Sequence, residues 1–158
     1  MLVHDFTYID APAGVVRACL LDDSHTWMDA LATQAAAEGD KVRLRLGPRG
    51  AHSPVGKLIE VEVGQAVARD AATLIPLTWR ATGAAALFPV FSGDIEVAAI
   101  GGSETQLSIW GHYDPPLGVL GEALDRFGLH RMAEASVRAF LLELALAVEE
   151  RGRVRAAS

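Results

Sequence analysis

The sequence predicts an α+β domain: a curved antiparallel sheet of about seven strands, two short helices after the first strand, and a long C-terminal helix across the concave face. Three observations predict it. Leu2 to Ile9 is rich in apolar, aromatic and β-branched residues and runs into "DAPAG", where Pro12 suits a first helical turn. From Gln34 to Tyr113 the hydrophobic pattern has a period of two. From about residue 117 to 151 apolar residues recur at helical spacing. With 158 residues and 51% hydrophobic content, the chain suffices for one domain with a sizeable core and barely for two. A single domain over 1–158 is expected, with residues 151–158 as a flexible basic tail.

The elements follow in order. The first strand hands over to a helix at about Pro12 to Leu21, which stops at "DDS". Those side chains accept from the free amides of a second short helix containing Trp27, Ala30 and Leu31. In the sheet, Val42, Leu44 and Leu46 alternate with Arg43 and Arg45, and Ile59, Val61 and Val63 with Glu60 and Glu62. Leu77, Trp79 and Ala81 oppose Thr78 and Arg80, while Ile95, Val97 and Ala99 oppose Asp94 and Glu96. Turn chemistry separates the runs at "EGDK" and "GGSE", with "GPRGAHSPVG" as a longer connection, so about six strands form an antiparallel meander.

The stretch "LSIWGHYDPPLGVLGEAL" ends the sheet. If Thr105 to Tyr113 is the last strand, Leu107, Ile109, Gly111 and Tyr113 look inward, and Gln106, Ser108, Trp110 and His112 look outward. Pro115 and Pro116 cannot donate ladder hydrogen bonds and stop it. In the last helix Met132, Ser136, Phe140, Leu144 and Val148 form the sheet-facing stripe, which Leu141, Leu142 and Leu146 widen. Gly128 offers a place for a kink.

Composition narrows the chemistry. A net charge of −6 lacks the basic stripe that displaces counterions from nucleic acid, and the one basic cluster, Arg151, Arg153 and Arg155, falls in the expected tail. Nucleic acid is not an expected partner. Cys19 is alone among apolar neighbours, which suits a buried thiol in a reducing, cytoplasmic setting. "MLVHDFTYID" carries no export signal, and Glu143 interrupts the longest apolar stretch near the C-terminus, so stable membrane insertion is not expected. The sequence leaves the oligomeric state open.

Several residue groups invite a chemical reading. His4, His25, His52, His112 and His130 are dispersed, without paired cysteines or helical spacing, so no metal site is expected. "GPRG" and "IGGSE" do not match a phosphate-cradling loop, and no nucleotide or other cofactor is implied. Ser92 and Ser24 lack the setting of a nucleophilic serine. His112, Tyr113 and Asp114 together suggest acid–base chemistry, yet adjacent strand residues point to opposite faces, which leaves a surface His112 beside an inward Tyr113. Lys57 alternates with Ile59 and either meets an anionic ligand group inside or snorkels to the rim.

Trp79 and Tyr113 each offer a large apolar face and one hydrogen-bonding atom, which suits core packing and the binding of an apolar ligand alike. Phe88 and Phe91 flank Pro89 in a connection or strand edge, where such exposed surface is expected to face a cavity, a partner or, in the favoured reading, to act as a lid. Small inward positions at Ala81, Ala99 and Gly111 favour interior volume under a single helix.

In this order of elements the chain resembles the START/Bet v 1-like helix-grip proteins, often grouped as SRPBCC domains, which include bacterial polyketide cyclase/dehydrase-like members. "DAPAGVVRACLLD", "VGKLIEVEVG", "IPLTWRATG" and "TQLSIWGHYDPPLGVLGEALD" carry the resemblance over nearly the whole chain, through order and spacing rather than a catalytic signature. It implies a helix-grip fold and a small, mainly hydrophobic ligand: a lipid, polyketide, aromatic metabolite or isoprenoid-like compound. It also sets Trp27 at the cavity mouth, against the alternative of a tryptophan packed under a surface loop. The expected lining is Trp27, Leu77, Trp79, Phe88, Phe91, Tyr113, Met132, Ser136 and Phe140, for carriage or sensing. A cyclase, dehydratase or isomerase using Tyr113, with His112 or Lys57, is the second reading; it needs two polar groups converging inside, where the strand phasing supplies only Tyr113. A protein-interaction module with a filled core, using the sheet edge or the Phe88/Phe91 segment, is the third.

Overall fold

The computed structural model describes residues 1–21, 37–38, 41–46, 57–81, 90–114 and 126–156. Strand β1 (Leu2–Ile9) leads into helix α1 (Ala13–Leu20). Pro12 stands just outside the helix with φ −59°, and its carbonyl accepts from the amides of Val15 and Val16 at 2.9 and 3.2 Å. The proline thus starts the helix without wasting a donor. The strands β2 (Ala37–Glu38), β3 (Lys41–Leu46), β4 (Lys57–Val63), β5 (Val67–Arg69), β6 (Ala72–Ala81), β7 (Val90–Ala99) and β8 (Thr105–Asp114) follow, and then α2 (Arg126–Ala156).

All described pairings are antiparallel, in the order β1-β8-β7-β6-β4-β3-β2, with β5 beside β6. Six strands are long; β2 and β5 have two and three residues. The expected meander is therefore present, with two short additions. The second short helix, around Trp27, lies outside the described residues. Helix α2 packs against β1 and β8 near one edge and also reaches β3 near the other. One helix touches strands that far apart only if the sheet curls around it, and this is the gripping arrangement expected from the sequence.

The period-two pattern sorts the faces as expected along most strands. Ile59 and Val61, then Ile75, Leu77 and Trp79, then Ile95 and Val97, then Leu107, Ile109 and Tyr113 are buried on the concave side. On the convex side Arg80 binds Glu60 and Glu62, each at 2.9 Å. The helix face differs in detail. Val137, Phe140, Leu141, Leu144, Ala145 and Val148 are buried, whereas Leu142 and Leu146 are exposed. Leu142 sits two residues from both Phe140 and Leu144, about 200° around the helix from each, and cannot share their face. Helix α2 also continues through Ala156, so residues 151–156 are helical where a tail was expected. Arg153 explains this in part, pairing with Glu149 and Glu150 one turn back.

The centre of the sheet is narrow. Gly93 of β7 and Gly111 of β8 lie directly opposite each other. A Cβ on Gly93 would sit 2.2 Å from the Trp110 carbonyl oxygen, and one on Gly111 2.4 Å from that of Ser92. Neither contact is tolerable against backbone, so the close approach of these two strands requires both glycines. Gly111→Ala is accordingly expected to cost about 1–3 kcal/mol in urea unfolding. Gly14→Ala in α1, where an added Cβ meets nothing within 4 Å, should instead stabilise by about 0.5–1 kcal/mol.

Candidate functional site

Three aromatic residues stand in one cross-strand row on the concave face. Trp79 of β6 is opposite Phe91 of β7, and Phe91 is opposite Tyr113 of β8. The row lies near the ends of these strands, two residues from Ala81 and one from Val90 and Asp114. The next row holds Leu77, Gly93 and Gly111. With no side chains on the two glycines, the Phe91 ring leans over them; its Cζ lies 2.9 and 2.8 Å from where their Cβ atoms would be.

Packing builds on that placement. Trp79 stacks on Phe91 with centroids 3.9 Å apart and planes 16° apart. Tyr113 meets Phe91 at 5.2 Å and 60°, and Trp79 at 5.9 Å and 65°. Phe140 of α2 closes on Trp79 from above at 5.2 Å. The tilted and edge contacts of Tyr113 and Phe140 are arrangements that ring quadrupoles favour, whereas Trp79 and Phe91 form a closer, near-parallel stack.

Within this apolar group one hydrogen bond joins the two polar atoms. The Trp79 Nε1–H donates to Tyr113 Oη at 3.1 Å. Burial pushes the Tyr113 phenol above its ordinary range, and the Trp79 hydrogen bond only partly offsets this. Tyr113 thus stays protonated inside the fold. Its main chain is fixed as well, since the Met1 carbonyl accepts from the Tyr113 amide and the Met1 nitrogen donates to the Tyr113 carbonyl, each at 2.8 Å.

The structure brings Leu77, Trp79, Phe91, Tyr113 and Phe140 together in the buried core. His112 is exposed on the opposite face. The expected lid is corrected for Phe91, which is fully buried in β7. Its strand begins at Val90, and the phase Phe91, Gly93, Ile95, Val97 carries it inward. Gly93 interrupts that apolar series, which is why the sequence reads as a connection there, although "FSGDIEV" holds the period. Ala99 is exposed at the end of β7, and among the described residues of β7 and β8 the small inward positions are Gly93 and Gly111. Ser136 is half-buried on α2. Lys57 and Met132 belong by backbone to β4 and α2, but their side chains, like that of Ala81, fall outside the described set, as do Trp27 and Phe88 altogether.

A second aromatic group was not singled out from the sequence. His4, Phe6 and Tyr8 line the outer face of β1, with Trp110 opposite His4; Phe6 is 48% and Tyr8 51% exposed. The alternation of "VHDFTYI" contains the signal, since it places all its aromatic residues on one face. β1 is also the outermost strand of the described order. There Asp5 accepts from the Phe6 amide at 2.9 Å and pairs with Arg138 at 3.5 Å, which blunts the edge against strand addition.

Among the described residues no group of three His, Cys, Asp or Glu could hold a metal ion, and no helix is long and apolar enough to cross a membrane. Cys19 is buried and free.

No family model matches the sequence, and no curated protein sequence matches it. Solved structures do resemble it. The Zhui aromatase/cyclase from Streptomyces sp. R1128 is 18% identical with a TM-score of 0.57, over 99% of this chain and 95% of that one. Norcoclaurine synthase from Thalictrum flavum, solved with dopamine and hydroxybenzaldehyde, is 12% identical at 0.50, over 90% and 87%. DynU16, a protein of the dynemicin biosynthetic locus, is 14% identical at 0.52; 94% of this chain spans 47% of that longer one. These likenesses show the START/Bet v 1-like helix-grip fold expected from the sequence.

The raised Tyr113 phenol gives a pH signature. The unfolded chain releases this proton near the ordinary phenol value of about 10, and the folded chain holds it beyond that. Folding therefore gains nothing from pH changes below about 10 through this group, and stability falls as pH rises above it. Tyr113→Phe should flatten that alkaline decline in chemical unfolding at a series of pH values; an unchanged decline would mean the phenol is accessible.

Proposed function

We propose that this chain binds a small, mainly hydrophobic molecule, best an aromatic one, between α2 and the concave sheet. Carriage or sensing is the leading function, for a lipid, polyketide or aromatic metabolite in the cytoplasm. The observation that carries the reading is the Trp79–Phe91–Tyr113 row with Phe140 above it: a stack of flat apolar faces with one hydrogen-bonded polar pair. Such a mixture of much apolar surface and few polar groups is what small-molecule sites share. The fold is also that of an aromatase/cyclase and of a synthase solved with two aromatic compounds, which supports an aromatic ligand class.

A cyclase or dehydratase using the same interior is the second reading, favoured by the Tyr113 phenol, which burial keeps protonated and able to hydrogen-bond to a reacting oxygen, although the same burial makes it a weaker acid than an ordinary phenol. His112 does not contribute, since it faces away. The interaction reading, which used the sheet edge or the Phe88/Phe91 segment, loses Phe91, which is buried, while Phe88 lies outside the described residues; the aromatic outer face of β1 is an exposed surface it did not name. No metal or cofactor is required by either reading of the interior.

Native mass spectrometry of freshly purified protein, followed by denaturing extraction, tests the proposal. The expected result is a stoichiometric apolar or aromatic adduct. Empty protein that also fails to take up apolar fluorescent probes would overturn it.

A further inference from the structure

The hydrogen bond inside the aromatic row is incomplete. An indole N–H can only donate, so at 3.1 Å the Tyr113 oxygen must be the acceptor. The phenol's own proton is then still to be placed. Among the described residues no group accepts it, although Tyr113 is only 6% exposed. A buried donor without a partner is costly, and native proteins rarely leave one unexplained.

The surroundings limit what could take it. Phe91 and Trp79 present ring faces and edges, and Phe140 covers Trp79. Each is apolar apart from the indole N–H, which is already engaged with the same oxygen. The proton therefore has to leave the aromatic group to find its acceptor. We infer that Tyr113 donates its O–H to the bound ligand, and that the ligand is a planar aromatic bearing an oxygen acceptor, a ketone or a phenolic oxygen, at the edge that meets Tyr113. This rests on the interior-binding reading above and adds to it the ligand's functional group and the residue that selects it.

The assignment also sets the direction of the hydrogen bond. Burial raises the phenol's pKa, so Tyr113 gives a hydrogen bond and does not act as a phenolate base. Trp79 assists by occupying one lone pair of the phenol oxygen, which polarises the O–H and fixes the ring's orientation. Tyr113 thereby becomes a specificity residue rather than a general apolar wall.

The test uses two probes of the same shape, acetonaphthone and isopropenylnaphthalene, in which a CH₂ replaces the carbonyl oxygen. Equilibrium dialysis gives Kd for each with the wild-type chain, Tyr113→Phe and Trp79→Phe. The wild type should prefer the ketone by about two- to tenfold, the range of one net hydrogen bond. Tyr113→Phe should lose the preference while still binding the hydrocarbon, and Trp79→Phe, which keeps the phenol but removes the N–H that polarises and orients it, should narrow the preference without abolishing it. Equal affinities for the two probes in the wild type, or a preference that survives Tyr113→Phe, would overturn the inference. If neither probe binds any form, the interior-binding reading itself falls. Should Tyr113→Phe fail to fold, the carbonyl stretch of acetonaphthone bound to the wild type decides: a shift to lower frequency supports the donor, and an unshifted band overturns it.

Discussion

The close approach of β7 and β8 at Gly93 and Gly111 is the constraint on which the interior depends. Side chains at those two positions would run into the backbone of the facing strand at 2.2 to 2.4 Å. Their absence lets the strands approach and leaves a shallow seat on the concave face. Phe91 lies over that seat, and its flattened ring gives Trp79 a parallel surface to stack on at 3.9 Å. The stacking in turn sets the edge of the indole toward Tyr113, so that its N–H reaches the phenol. Two residues without side chains thus determine where four aromatic ones go.

That sequence of contacts gives the interior its chemical character. Burying a tryptophan, a tyrosine and two phenylalanines contributes strongly to stability through apolar area alone, roughly 1.5–3 kcal/mol for each fully buried side chain of this size. The polar pair embedded in the group adds direction. In water a phenol and an indole exchange partners freely; in a dry aromatic setting their hydrogen bond has one geometry and leaves one proton pointing elsewhere. The outer face of β1 has a comparable number of rings without this property: His4, Phe6 and Tyr8 touch one another at 5.7 to 6.3 Å and remain open to solvent. Among the described residues, aromatic content is therefore divided between a buried group with a directed donor and an exposed stripe without one.

Much of the fold was legible because both of its periodicities are strong. Leu77/Trp79 against Thr78/Arg80, and Leu107/Ile109/Tyr113 against His112, announce which face of each strand is buried, and the structure keeps those faces. The errors lie where a pattern is interrupted or two patterns compete. Gly93 breaks the apolar series of β7, so the sequence names Phe91 as lining but reads it as part of a lid rather than of the strand. Leu142 and Leu146 are apolar on the wrong side of α2, so hydrophobicity alone misassigned them. The candidate site was half legible. Trp79, Tyr113 and Phe140 could be named one at a time, but the opposition of Gly93 to Gly111 and the bond from Trp79 to Tyr113, 34 residues apart, depend on strand register, which a single sequence does not specify.

The central claim is that a ligand enters against the aromatic row inside and not against the stripe outside. Isotope-filtered nuclear Overhauser spectroscopy of the labelled protein with unlabelled acetonaphthone measures this directly. The account predicts contacts from the probe's ring protons to Trp79, Phe91, Tyr113 and Phe140, and none to Phe6, Tyr8 or Trp110. Contacts confined to Phe6, Tyr8 and Trp110 would contradict it and move the binding function to the convex face of β1 and β8.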